Sequence, residues 1–132
     1  MARVWPQPLI AVSDVGRSRA FYVPVLEAEA GHGGGEYEQI VSGGELVLQL
    51  HRLDVEDHHG PIAAADEPLG NGTLLWFEVE DVEAAAERAR AASAEVERDV
   101  HVNPNAKQSE IWLRDPDGYR VVLAGPSSYR PR

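Results

Sequence analysis

Apolar and polar positions along the chain fall into one pattern that occurs twice. Residues 8–12, Pro-Leu-Ile-Ala-Val, read as a short strand, and after Ser13-Asp14 the residues Val15, Ala20, Phe21 and Val25 take helical spacing over 15–26. Asp14 is placed to accept an orphan backbone N–H at the start of that helix, and Pro24, which has no N–H, is expected to distort or end it. Residues 74–79, Leu-Leu-Trp-Phe-Glu-Val, read as a second strand, followed by Glu80-Asp81 and an Ala-rich helix over 82 to about 94. Asp81 is the matching cap. Val-x-Asp-Val thus stands at Val12 to Val15 and again, 67 residues later, at Val79 to Val82. Each helix leads into strand-like segments: 37–41 and 46–50 in the first half, 96–100, 109–114 and 119–123 in the second. Gly33-Gly34-Gly35 and Gly43-Gly44 read as turns, and Asp115-Pro116-Asp117-Gly118 as a tight hairpin.

Alternation within the strands predicts two different sheet faces. Leu75, Phe77 and Val79 oppose Leu74, Trp76 and Glu78; Leu46, Leu48 and Leu50 oppose Val47, Gln49 and His51. Ile111 and Leu113 oppose Glu110, Trp112 and Arg114, and Tyr119, Val121 and Leu123 oppose Arg120, Val122 and Ala124. One face suits helix packing. The other mixes Trp, Gln, Glu, Arg and His and suits a binding cleft. The expected fold is α+β: two repeated βαβββ modules, over about 7–52 and 74–125, with a curled mixed sheet around a cleft and helices outside. All of 1–132 is read as a single domain, and the polar segment 52–73 between the modules is long enough to be functional.

Composition narrows the classes of function. Twelve Lys and Arg against 22 Asp and Glu give a net charge of −10, which disfavours nucleic acid as a partner. Cysteine is absent, which removes disulfides, thiolate metal sites and a Cys nucleophile. No signal-peptide pattern or membrane-length apolar run occurs, so a soluble, cytoplasmic protein without a membrane partner is expected.

Asp14-Val15-Gly16-Arg17-Ser18-Arg19-Ala20-Phe21-Tyr22, Phe77-Glu78-Val79-Glu80-Asp81-Val82 and Arg114-Asp115-Pro116-Asp117-Gly118-Tyr119 resemble the vicinal oxygen chelate superfamily. That superfamily contains glyoxalase I, extradiol dioxygenases, fosfomycin-modifying enzymes and bleomycin resistance proteins. The resemblance implies the two-module fold, usually completed as a homodimer in chains this short. It also implies four metal-ligand positions in the enzymes, on the first and last strand of each module. In this chain they fall on Gln7, Gln49, Leu74 and Val122, where the enzymes carry mainly His and Glu. Leu and Val offer no lone pair and Gln only a neutral carbonyl, so no metal or other cofactor is expected there.

Other candidates are weighed against plainer roles. His51, His58 and His59 are the alternative metal or acid/base centre; the plainer reading is histidines solvated among Asp54, Glu56 and Asp57. Trp76 and Trp112 can sandwich a flat or cationic group, or simply pack in a core or dimer interface. Glu78 and Glu110 add negative charge beside the rings. Arg114 and Arg120 can meet a ligand carboxylate, or pair with neighbours such as Asp115 or Asp117. Ser13, Ser18 and Ser109 define no hydrolase triad.

The expected function is metal-free binding of a small molecule. It resembles the bleomycin resistance branch, which sequesters a toxic compound, here an aromatic or cationic natural product of the bleomycin or enediyne kind. Gln7, Gln49, His51, Trp76, Glu78, Glu110, Trp112 and Arg120 are the expected ligand-binding residues, with no catalytic group. The alternative is a metal-dependent isomerase, lyase or dioxygenase of the same superfamily built on His51 with His58 or His59.

Overall fold

The computed structural model describes residues 3–54, 62–64, 66–105 and 107–126. Its elements run β1 (Leu9–Val12), α1 (Val15–Leu26), β2 (Glu29–Gly33), β3 (Tyr37–Ser42) and β4 (Glu45–Arg52), then β5 (Leu74–Glu78), α2 (Val82–Ala91), β6 (Glu95–Asn103), β7 (Gln108–Arg114) and β8 (Arg120–Ala124). The chain divides between Leu69 and Gly70 into two units, each a βαβββ module. The sheets are four-stranded and mixed, in the order β1-β4-β3-β2 and β5-β8-β7-β6. In each, the strand before the helix lies parallel to the last strand, and the remaining neighbours are antiparallel. No helix among the described residues is long and apolar enough to cross a membrane.

Both helices start as the aspartates dictate. Asp14 and Asp81 have extended backbones, and their carboxylates accept the N–H of Arg17 at 3.0 Å and of Ala84 at 3.1 Å. Val15, Ser18, Phe21, Tyr22 and Val25 form the buried stripe of α1. Pro24 lies inside α1, which runs two residues further to Leu26. The end is closed by Glu27 in the left-handed region (φ 51°) and by an Ala28 N–H to Val23 O bond of 2.9 Å. In α2 the buried stripe is Val82, Ala85, Ala86 and Ala89, and small side chains allow close approach to the sheet. This helix stops at Ala91, short of the expected 94, because Ser93 adopts φ 57° and Ala94 bonds back to the Ala89 carbonyl at 2.9 Å.

One sheet face is buried as alternation predicts, but in the second unit Glu110, Val122 and Ala124 of the opposite face are buried as well. Ile10, Val12, Ile40, Leu48 and Leu50 are buried in the first unit, as are Leu75, Ile111, Leu113, Val121 and Leu123 in the second. Glu38 shares the first of these faces and meets α1 through Arg19 (Nη1 to Oε1, 2.9 Å). Arg90 of α2 reaches Asp99 of β6 at 2.6 Å.

Two places depart from the sequence reading. The strand β2, Glu-Ala-Gly-His-Gly, has no hydrophobic alternation; it is held by pairing with β3, and at Gly33 a side chain would run into the Tyr37 carbonyl. β6 extends to Asn103 and takes in His101, with register shifts between Val96 and Arg98 and between Arg98 and His101. Between β7 and β8, Asp115 builds the hairpin. Its Oδ1 accepts the N–H groups of Asp117 and Tyr119, both at 2.9 Å, while Gly118 takes φ 91°.

Candidate functional site

In the second unit, register arranges the outward side chains in rows across β5, β8, β7 and β6. Trp76 pairs with Val122, Val122 with Trp112, and Trp112 with Arg98. The next row is Glu78, Ala124, Glu110 and His101; on the opposite side, Leu74 pairs with Arg120 and Arg120 with Arg114. Trp76 is 43% exposed, Trp112 is half-buried, and Val122 between them is fully buried.

Glu110 holds one of the rings in place. Its Oε1 accepts the Trp112 indole N–H at 2.9 Å and meets His101 Nε2 at 3.2 Å; Asn103 Nδ2 reaches its Oε2 at 3.5 Å. With only 2% of its surface exposed, the carboxylate is an anchor for Trp112 rather than a free charge at the surface. Arg120 sits over the same indole, its guanidinium carbon 6.0 Å from the ring centroid. The expected partners of the arginines, Asp115 or Asp117, give way to Glu97 on the neighbouring strand β6. Glu97 takes Arg114 at 2.7 Å (Nε) and 2.5 Å (Nη2), and Arg120 Nε at 3.2 Å.

The first unit presents a polar face at the equivalent place. Gln49 lies opposite Leu9 on one side and Gln39 on the other, and His51 opposite Ala11 and Tyr37. Tyr37 Oη donates to Gln49 Oε1 at 2.6 Å and accepts from Gln39 Nε2 at 3.2 Å. Gln49 Nε2 donates to the Gln7 carbonyl at 3.0 Å, so Gln7 contributes its backbone to this network. His51 stands edge-on to Tyr37, with ring centroids 6.3 Å apart, and its Nδ1 lies 2.9 Å from the Arg52 carbonyl. His58 and His59 lie outside the described residues.

The pairing Gln39 with Gln49 recurs 73 residues on as Trp112 with Val122, and Tyr37 corresponds to Glu110. In both modules the residue at this place accepts a hydrogen bond from the side chain two positions along the same strand. One module fixes a carboxamide in this way and the other an indole. Tyr37, Gln39, Glu97, His101 and Asn103 escaped the sequence reading. Tyr37 and Gln39 carried a usable signal, since both fall on one face of the strand read over 37–41.

Two electrostatic shifts are resolved on the surface. Asp99 is held below the ordinary carboxylate range, first by the Val100 N–H; desolvation opposes this, and the hydrogen bond and charge of Arg90 add to the lowering. Arg52 is raised by its hydrogen bond and charge interaction with Asp54. Neither lies among the tryptophans.

The family model of the Glyoxalase/Bleomycin resistance protein/Dioxygenase superfamily matches residues 6–123. The chain belongs to this superfamily. Among solved structures, it is similar to a lactoylglutathione lyase from Agrobacterium tumefaciens, with 21% identity and TM-score 0.71, covering 97% of each chain. A glyoxalase/bleomycin resistance protein/dioxygenase from Nocardioides has 19% identity and TM-score 0.74, covering 98% of this chain and 88% of that one. A glyoxalase-related enzyme from Fulvimarina pelagi has 19% identity and TM-score 0.73, covering 95% and 89%. At these identities the likeness carries the fold. No curated protein matches significantly.

The superfamily's metal positions can be tested on the side chains that occupy them here. In the first unit, Gln49 has its carbonyl oxygen taken by Tyr37 and its amide nitrogen by Gln7. In the second, Leu74 and Val122 carry no donor atom, and Val122 has no exposed surface. These residues do not fit a divalent cation, which needs imidazole or anionic oxygen ligands. Among the described residues no three His, Asp or Glu side chains come together in a metal-binding group.

Proposed function

We propose that this member of the superfamily is a metal-free small-molecule binding protein that sequesters an aromatic natural product, as an antibiotic-resistance protein does. The observation that carries the reading is the pair of tryptophans on one outward sheet face, with Trp112 held by the buried Glu110 and Trp76 43% exposed. An orienting hydrogen bond reduces the order a ring must gain on binding, which favours recognition of a flat ligand. The donor-poor residues at the metal positions support binding over metal-assisted chemistry. Of the two ligand classes expected from sequence, the aromatic one has the better support. Glu110 accepts from Trp112 and Asn103 and Glu97 is taken by two arginines, so neither carboxylate is left open for a cation.

The test is a tryptophan-fluorescence titration with aromatic antibiotics, bleomycin among them, joined to metal analysis of the purified full chain. Saturable quenching by one drug class with no stoichiometric metal is expected. Trp76→Ala or Trp112→Ala should each weaken binding by about 1–3 kcal/mol through lost aromatic contact. Bound transition metal with no response to any drug would instead favour an enzyme.

A further inference from the structure

Three arginines, Arg98, Arg114 and Arg120, stand around Trp112 in an otherwise acidic molecule. Arg114 and Arg120 face each other across β7 and β8, one row from the tryptophans, and share a single carboxylate, Glu97. Glu95, in register with Arg114 on β6, is the other acid of that row. Arg98, in register with Trp112 on β6, is exposed. The two shared arginines are not equally committed. Arg114 spends Nε and Nη2 on Glu97 and Nη1 on the Gly118 carbonyl at 2.8 Å. Arg120 gives Glu97 only its Nε, at 3.2 Å, so its two Nη groups have no hydrogen-bond partner among the described residues, and its side chain is 47% exposed. An arginine in an ion pair through its Nε side and lying over an indole presents the fork that matches a carboxylate.

We propose that the Trp112 face takes an aromatic ligand bearing an anionic group, a carboxylate in the simplest case, seated on the Nη pair of Arg120. This rests on the aromatic binding proposed above and names the charge of the ligand. Of the acids on this face, Glu97 is shared by two arginines and Glu95 lies across from Arg114. Glu110 is buried and accepts from Trp112 and Asn103, and Glu78 lies on the far side of the tryptophan row, four residues along the strand from Leu74 and hence about 13 Å from the Arg120 row. The overall charge of −10 does not reverse the preference. At physiological salt, charges farther than about 8–10 Å are largely screened, so groups in contact with the ligand decide.

Three probes with the same ring separate the ring from the charge: 2-naphthoate, 2-naphthalenemethanol and 2-naphthylmethylammonium, titrated calorimetrically into the full chain at about 0.15 M salt. Naphthoate should bind at least about tenfold more tightly than the ammonium, with the alcohol between them. Arg120→Gln should bring the ratio of naphthoate to alcohol affinity close to one, and Arg120→Lys, which keeps the charge but loses the fork, should retain part of it. Melting curves of both variants report whether the fold is intact. An ammonium that binds as tightly as naphthoate, or a naphthoate preference that survives Arg120→Gln, overturns the anion assignment while leaving aromatic binding in place. Failure of all three probes, the neutral alcohol included, overturns aromatic binding and the anion assignment with it.

Discussion

At the scale of single residues, Glu110 links the fold to the proposed site. A buried carboxylate is tolerated where donors reach it, and here the donors are the Trp112 indole and Asn103. Glu110→Leu removes the acceptor and leaves the indole N–H without it, so it should cost about 1–3 kcal/mol in urea unfolding. Glu110→Gln keeps a carbonyl for the indole and should lose less. Equal losses would mean that the charge, and not the hydrogen bond to Trp112, is what the site uses. Asp99 gives a pH-dependent counterpart. Its folded value lies below the unfolded one because the Val100 N–H and Arg90 favour the carboxylate. Its contribution is therefore present above the unfolded carboxylate value, about 3.9, and lost as pH falls through the folded value. Asp99→Asn should be less stable than the parent at neutral pH and indistinguishable from it in strong acid, as read by denaturation across that range.

At the scale of elements, what could be read in the sequence was what depends on neighbours along the chain. Both helix starts, set by Asp14 and Asp81, and the core-facing residues of β4, β5, β7 and β8 are local and were legible, whereas the burial of Val122 and Ala124 on the opposite face of β8 was not. So was the hairpin, whose aspartate satisfies two backbone N–H groups. Asp115→Ala leaves both of those groups without their acceptor in a buried turn, and a loss of about 1–3 kcal/mol is expected in thermal or urea unfolding. An unchanged midpoint would show that Gly118 and Pro116 hold the turn without it. β2 was not legible, since Gly31 and Gly33 give it no pattern and only pairing with β3 makes it a strand. The site was legible in part for the same reason. Alternation sets Trp76, Glu110 and Trp112 on one face, but the bonds from Glu97, Asn103 and His101 depend on where β6 pairs with β7. Two register shifts in β6 hide that from any periodicity. Arg120 shows the limit well: its nearest acids in sequence are not its partner in space.

At the scale of the molecule, one repeat has been turned to two surfaces. Gln39 and Gln49 correspond to Trp112 and Val122, and Tyr37 to Glu110, so the backbone pairing is kept while a polar network in one unit is replaced by an aromatic face in the other. The substitution reaches the positions where the superfamily's enzymes hold a cation, and this has a consequence for the stability of the whole chain. A ligand that binds only the native state adds RT ln(1 + [L]/Kd), about 2.7 kcal/mol at a hundredfold excess over Kd, enough to move the melting temperature of a domain of this size by several degrees. With Gln49 engaged by Tyr37 and Gln7, and only hydrocarbon at Leu74 and Val122, no such term is expected from a divalent cation. Dialysis against EDTA, and then addition of Mn²⁺, Ni²⁺ or Zn²⁺ at about 0.1 mM, should therefore shift the melting temperature by less than about 1 °C. Because the measurement uses the full chain, it also takes in His58 and His59. A fall of several degrees on chelation, restored by one of these cations, would show a metal site built on residues other than the superfamily's four and would turn the assignment from binding protein to enzyme.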